Sequence, residues 1–214
     1  MSPKAKAVED PADLPRDPAP AGKEKACERI FKAACDLFYR QGIRAVGVET
    51  IAEEAHATKM SLYRAYPSKD ELVAEYLRSM SARTWEVWDE VAARHAGDPR
   101  RQLGAVFEEL TRRINDPDSR GCAMANASVE LTDPEHPGRK VIAEHKAQVR
   151  ARLLQLCTDA GARDPGALSD GLFLLMEGAL CSTHALGHSG AGNSVALSAE
   201  ALISAQIPKA PARS

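Results

Sequence analysis

Helix-period apolar runs, each punctuated by proline or glycine, limit most strongly what this chain can fold into. From Lys23 onward Ala26, Ile30, Ala33, Ala34, Leu37 and Phe38 recur at intervals of three and four, which draws one helical face. Gly42 is expected to close that helix as a left-handed cap. A short second helix follows Gly47 and turns Val48, Ile51, Ala52 and Ala55 inward. His56-Ala57 makes a turn, Thr58 caps a third helix running to about Tyr66, and Pro67 stops it. Ser68-Lys69-Asp70-Glu71 reads as a Ser-x-x-Glu capping box that opens a long fourth helix, to about His95.

The same punctuation continues downstream. Asp98-Pro99 and Asp164-Pro165 each pair a capping carboxylate with a proline in the first turn. The fifth helix carries Leu103, Val106, Phe107, Leu110 and Ile114, and Asn115-Asp116-Pro117-Asp118 breaks it. Residues 121–131 read as a helix of small side chains. A helix from about Gly138 to Ala160 ends at Gly161, and the next uses Leu168, Leu172, Leu175, Met176, Ala179 and Leu180. Gly187 to Asn193 is expected to be a flexible loop before a last helix from Ser194 to about Ala205. No run alternates with the strand period, and aromatics make up only 5% of the chain against 44% hydrophobic residues dominated by Ala and Leu. The fold class is therefore all-α: a three-helix head and a helical C-terminal domain, about nine helices together.

Residues 1–22 carry prolines at 3, 11, 15, 18 and 20 and only two large apolar residues, too little to offset ordering entropy, so they read as a disordered arm. The domains expected after it are a head at 23–77, a body at 78–206 and a tail at 207–214. The most apolar stretch, Gly171 to Leu186, is interrupted by Glu177 and His184 and is short of a membrane span. With no apolar leader at the N-terminus, the expectation is a soluble cytoplasmic protein without membrane contact. Five cysteines at 27, 35, 122, 157 and 181 form no Cys-x-x-Cys pair and read as free thiols.

The second and third helices, split only by the turn around His56-Ala57-Thr58, have the spacing of a helix-turn-helix at about Gly47 to Tyr66. Ala52 and Ala55 are small enough for the two helices to cross closely, with Ile51 and Leu62 as plugs. The formal net charge is −2, so any nucleic-acid contact has to come from a local cluster. Between His56 and Lys69 the charged residues are Lys59, Arg64 and Lys69, with no carboxylate among them. Such a helix can neutralise phosphates, and Ser61 and Tyr63 add hydroxyl donors. An ordinary surface helix with solvated cations fits the same pattern, and the alternative function is a helical protein-interaction module without specific DNA binding.

Three stretches carry a resemblance. They are Gln41-Gly42-Ile43-Arg44-Ala45-Val46, then Thr50-Ile51-Ala52-Glu53-Glu54-Ala55, then residues 58–72 with their Leu62-Tyr63 pair, Tyr66 and Ser68-Lys69. From about Lys23 to Leu77 the chain resembles the TetR/AcrR family head. That resemblance implies DNA contacts at Val48 and Glu49 on the second helix, Lys59, Met60, Ser61 and Tyr63 on the third, and Lys69 on the fourth. Lys59 is the expected base reader, since lysine can donate to guanine O6 and N7. Tyr63 and Lys69 are expected on phosphates. The chain departs from the family pattern at Gly47, Val48, His56 and Met60, and Gly47 and Val48 leave the second helix few polar groups for DNA.

The resemblance also implies double-stranded operator DNA as partner, a homodimer formed by the last two helices, and a small-molecule effector held among the middle helices. Its role would be a repressor. Candidate pocket residues are Trp85, Trp88, Phe107, Met124, Asn126 and His145, types that also serve as ordinary core packing. Cys181, His184 and His188 share a helical spacing, but Gly187 is expected to end the helix before His188 and no fourth ligand is evident, so neither metal nor cofactor is expected. Gly187-His188-Ser189-Gly190-Ala191 misses the last glycine of a nucleophile elbow, and with no strands to carry a phosphate loop, no catalytic residues are expected.

Overall fold

The structure, a computed structural model, describes residues 25–186 and 190–207. The expected N-terminal arm, the start of the loop at Gly187 and the last seven residues lie outside that range. Nine α-helices and one short 3-10 turn make up the described residues, with no strand. They are α1 (Ala26–Gln41), α2 (Val48–Glu54), α3 (Lys59–Ala65), α4 (Lys69–Arg94), α5 (Pro99–Asn115), α6 (Ala123–Glu130), α7 (Pro137–Asp159), α8 (Pro165–Leu186) and α9 (Val195–Gln206), with the 3-10 turn at Ala191–Ser194.

The caps explain where these helices begin. Thr58 Oγ1 accepts from the Ser61 amide at 3.1 Å, and Asp98 Oδ1 accepts from the Arg101 amide at 2.9 Å before Pro99. Ser68 Oγ accepts from the Glu71 amide at 3.1 Å, which is one half of the expected capping box. Gly42 departs from the expected left-handed cap. Its φ of 91° is positive, but its ψ of 155° is extended, a combination open essentially only to glycine.

The helices bury two apolar cores. The first gathers Ile30, Leu37, Phe38, Ile51, Leu62, Leu72 and Leu77 from α1–α4, and it also recruits Met124 and Ala127 of α6 and Val141 and Ile142 of α7. The second joins Trp88 and Val91 of α4 to Leu103, Phe107, Leu153, Leu172 and Ile203 of α5, α7, α8 and α9. It extends to Ile207, which the sequence reading assigned to the tail. Helix α4 supplies large side chains to both cores from a single unbroken helix of 26 residues. Helix α7 does so at its two ends, with α6 between it and the head.

Candidate nucleic-acid interface and effector cavity

The turn between α2 and α3 is built from backbone hydrogen bonds. The Ala57 amide donates to the Ala52 carbonyl at 2.9 Å and the His56 amide to the Glu53 carbonyl at 3.0 Å, the pairing of a Schellman motif. His56 takes the left-handed position, φ 47°, where glycine is usual. Helix α1 locks this turn from outside: Arg29 Nε donates to the Ala55 carbonyl at 3.1 Å and Nη2 to the His56 carbonyl at 3.4 Å. Nothing in the spacing of Arg29 signals this role, because it lies off the apolar stripe of α1 and its partners are carbonyls. Ile51, Ala52 and Leu62 are buried beneath, so α2 and α3 cross on small and branched side chains as expected.

On the outer face of α3, Met60 is 72% exposed and Tyr63 49% exposed, and Arg64 is exposed beside them. The Lys59 ammonium forms an ion pair with the Glu49 carboxylate of α2. That hydrogen bond lowers the Glu49 carboxyl pKa and raises that of the Lys59 ammonium. Val48 is half-buried against the first core, and the Ser61 hydroxyl lies 3.0 Å from Thr58 Oγ1, so both are partly occupied by the fold. Lys69 turns inward. As the first residue of α4 its side chain points back toward the head, where Nζ donates to the Ile43 carbonyl at 2.7 Å and lies 6.0 Å from the Phe38 ring centroid. Burial lowers its pKa. The expected phosphate contact therefore requires Lys69 to leave this carbonyl.

A cavity of about 940 Å³ lies between body and head, lined by α4, α5, α7 and α8 on one side and by α1 and the α2–α3 turn on the other. Of the six candidate pocket residues, Trp88 and His145 line it. Trp85 stands behind them, its ring centroid 5.7 Å from Trp88 and 5.9 Å from His145. The other candidates lie elsewhere. Phe107 is fully buried in the second core, Met124 is buried in the first, and Asn126 Nδ2 donates to the Arg120 carbonyl at 2.9 Å. Helix α6 packs toward the head, which removes Met124 and Asn126 from the cavity. The sequence reading missed Lys146 and Glu177, whose ammonium and carboxylate meet at 2.5 and 2.7 Å on the cavity wall, with Cys122 Sγ 3.4 Å from the ammonium. They come from α7 and α8, 31 residues apart, so no local pattern could pair them.

Residues 30–76 match the model of the bacterial regulatory proteins of the tetR family. Solved structures agree in fold across the chain. SCO4454, a TetR-family transcriptional regulator from Streptomyces coelicolor, superposes with a TM-score of 0.80 at 26% identity, covering 86% of this chain and 96% of that one. A tetR-type transcriptional regulator from Streptomyces avermitilis gives 0.72 at 28% identity, covering 86% and 98%. This chain belongs to the TetR family of transcriptional regulators.

Relatives in sequence point the same way. The HTH-type transcriptional regulator YjdC of Escherichia coli is 24% identical over 72% of this chain and 80% of its own length. TtgR of Pseudomonas putida, also an HTH-type transcriptional regulator, is 34% identical over 51% of this chain and 58% of its own. As a TetR-family regulator the chain binds DNA through its head. That head is electrically balanced, with eight Lys and Arg against eight Asp and Glu over residues 25–77. Its attraction to phosphate must therefore come from where the charges sit, on α3, rather than from net charge. Among the described residues no group of three His, Cys, Asp or Glu side chains could hold a metal ion, and no helix is long and apolar enough to cross a membrane. His188 and the side chain of His184 lie outside the described residues, so the Cys181, His184 and His188 constellation is not among those tested.

Proposed function

We propose that the chain is a ligand-responsive, sequence-specific regulator, a homodimeric repressor that a small molecule releases from a palindromic operator. Its head spans residues 23–77 and its sensing and dimerising body 78–206. The observation that carries this reading is α4. It begins in the head at the Ser68 cap and ends in the body, where Trp88 and Val91 line the cavity. Whatever occupies the cavity pushes on the helix that carries the head. A ligand shifts the DNA-binding shape only by preferring the other one, and couplings of this kind are typically about 1–3 kcal/mol.

Dimerisation is supported by a face of α8 and α9 that, among the described residues, carries no charge and is left uncovered. Leu174 is 68% exposed and Leu197 76%, with Ala167, Gly178, Ala201 and Ala205 exposed on the same two helices. The nearby charged groups are already paired, Asp170 with Arg150 and Glu200 with Arg100. Two copies joined there present two α3 helices, and an operator reader needs them about 35 Å apart, one turn of duplex.

Selection of bound sequences from random duplex DNA tests the proposal. The expected product is an inverted repeat with half-sites about one helical turn apart, bound with a steep inverse dependence on salt. Recovery of no preferred sequence would overturn it in favour of a protein-interaction module.

A further inference from the structure

The charges on the cavity wall do not balance where solvent is scarce. At the exposed rim Lys32 and Arg83 stand among Glu54, Asp116 and Asp118, and solvent screens both signs. Asp36, also exposed, is paired with Arg40. The half-buried charged residues of the lining are Arg29, Glu109, Arg113, Lys146 and Glu177. Both of these carboxylates already have a cation: Glu109 pairs with Arg112, and Glu177 with Lys146. Arg29 is engaged on the carbonyls of the α2–α3 turn. Arg113 differs from the rest. Its Nη2 donates to the Gly121 carbonyl at 3.1 Å, and among the described residues it forms no ion pair. A second cation stands close by, because Lys146 Nζ of α7 lies 3.4 Å from Sγ of the next residue, Cys122. Both cations reach His145, whose pKa they press down, after burial, to about 4. The buried part of the lining is otherwise apolar, with Trp88, Leu110, Val149, Met176 and Leu180 as its large members.

We propose that this cavity takes an apolar organic monocarboxylate, its carboxylate on the Arg113 guanidinium and its body along Trp88, Leu110 and Met176. The inference rests on the effector reading above and names the chemical class of that effector. A guanidinium presents a planar fork of N–H donors, of which the Gly121 carbonyl uses one, and a carboxylate accepts from such a fork in pairs. A neutral ligand that displaced water from the cavity would leave the half-buried charge without a partner. A cationic ligand would add a like charge beside Arg113 and Lys146. A dianion would have to draw Lys146 away from Glu177 to find a counter-charge for its second carboxylate. One uncompensated cation on an apolar wall therefore matches one negative charge on an apolar body.

Both tryptophans of the chain stand here, Trp88 on the cavity wall and Trp85 with its ring centroid 5.7 Å away, so intrinsic fluorescence reports occupancy. The full-length protein is titrated with biphenyl-4-carboxylate, biphenyl-4-methanol and biphenyl-4-methylammonium, which share one apolar body and differ in charge. The carboxylate should change the emission saturably, the alcohol should bind about tenfold or more weakly, and the ammonium more weakly still. Arg113→Gln, which keeps a donor for the Gly121 carbonyl but removes the charge, should erase the preference for carboxylate over alcohol. Arg113→Lys, which keeps the charge without the fork, should retain part of it. Glu177→Gln, which releases Lys146, should tighten the carboxylate several-fold, a gain that damage to the fold would not produce. Equal affinity for carboxylate and alcohol, a preference for the ammonium, absence of saturable carboxylate binding, or a preference unchanged in Arg113→Gln would each overturn the proposal. DNA affinity measured at saturating carboxylate separates this from the effector reading. Saturable binding without any change in DNA affinity removes the effector role and leaves the ligand class. DNA release by the alcohol or the ammonium, with no carboxylate binding, does the reverse.

Discussion

Glu49 and Lys59 define the chemistry of the proposed reading face. In the free head they hold each other across α2 and α3, both well exposed. An exposed pair contributes little to stability, so on the proposed role of Lys59 as base reader its consequence is for binding: DNA would have to compete with Glu49 for the ammonium. Lys59→Ala should cost about 1–3 kcal/mol of operator affinity and relax one base preference. Glu49→Gln should tighten binding to random duplex several-fold at low salt while narrowing the gap to operator. Both are read by fluorescence anisotropy across a salt series, and a Lys59→Ala variant with unchanged affinity and preference would remove it as the reader. At His145 the consequence is for stability. Burial, then Lys146 and Arg113, press its pKa down to about 4. The folded protein thus binds fewer protons than the unfolded chain, and the contribution is whole above pH 6.5 and declines as pH falls toward 4. Urea unfolding should show a loss of about 2 kcal/mol from this group between pH 7.5 and pH 5. His145→Phe should flatten that part of the profile.

Among elements, short polar contacts around α6 reinforce the apolar junction of head and body. Glu130 Oε2 accepts from the Arg44 amide at 2.8 Å, and the Tyr39 hydroxyl accepts from the Arg120 amide at 2.8 Å. Gly42 sits against the first of these. A Cβ there would lie 3.2 Å from both Glu130 carboxylate oxygens, on a backbone of φ +91°. Gly42→Ala should therefore destabilise the fold by about 1–3 kcal/mol, read as a lower thermal midpoint, with head and body affected together. Glu130→Gln, which keeps an acceptor for the Arg44 amide, should lose far less. The helices themselves were largely legible beforehand, because each start is a local event. Thr58, Ser68, Asp98 and Asp164 all accept from an amide three residues on, as their spacing to the next apolar run implies. The Glu130 contact was not legible, since it joins positions 86 residues apart.

At the scale of the whole molecule, the exposed leucines of α8 and α9 are the surface that a single copy leaves unsatisfied. Large uncovered apolar patches on a regulator mark an interface. Leu174→Asp combined with Leu197→Asp should give a monomer by sedimentation at micromolar concentration while the helical circular dichroism is retained. Operator affinity should fall by several orders of magnitude, because two half-sites are then no longer held together. A double variant that remains dimeric would move the interface elsewhere.

Sequence by itself determined the all-α class, the bounds of the helices and the position of the helix-turn-helix. Those depend on periodicity, caps and glycine or proline breaks, which act over a few residues. The turn at His56-Ala57 could be named for the same reason, and His56 takes its left-handed position at φ 47°. Tertiary structure alone decided which candidates face the cavity and which face the head. Trp88 and His145 line the cavity, whereas Met124 and Asn126 went with α6 to the junction and Phe107 to the core. It also decided that Lys69 is turned onto Ile43 and that Lys146 meets Glu177. The physical reason is common to all of these. A residue type states what a side chain can do, but only the packing of distant helices determines what stands beside it and whether its charge is already spent.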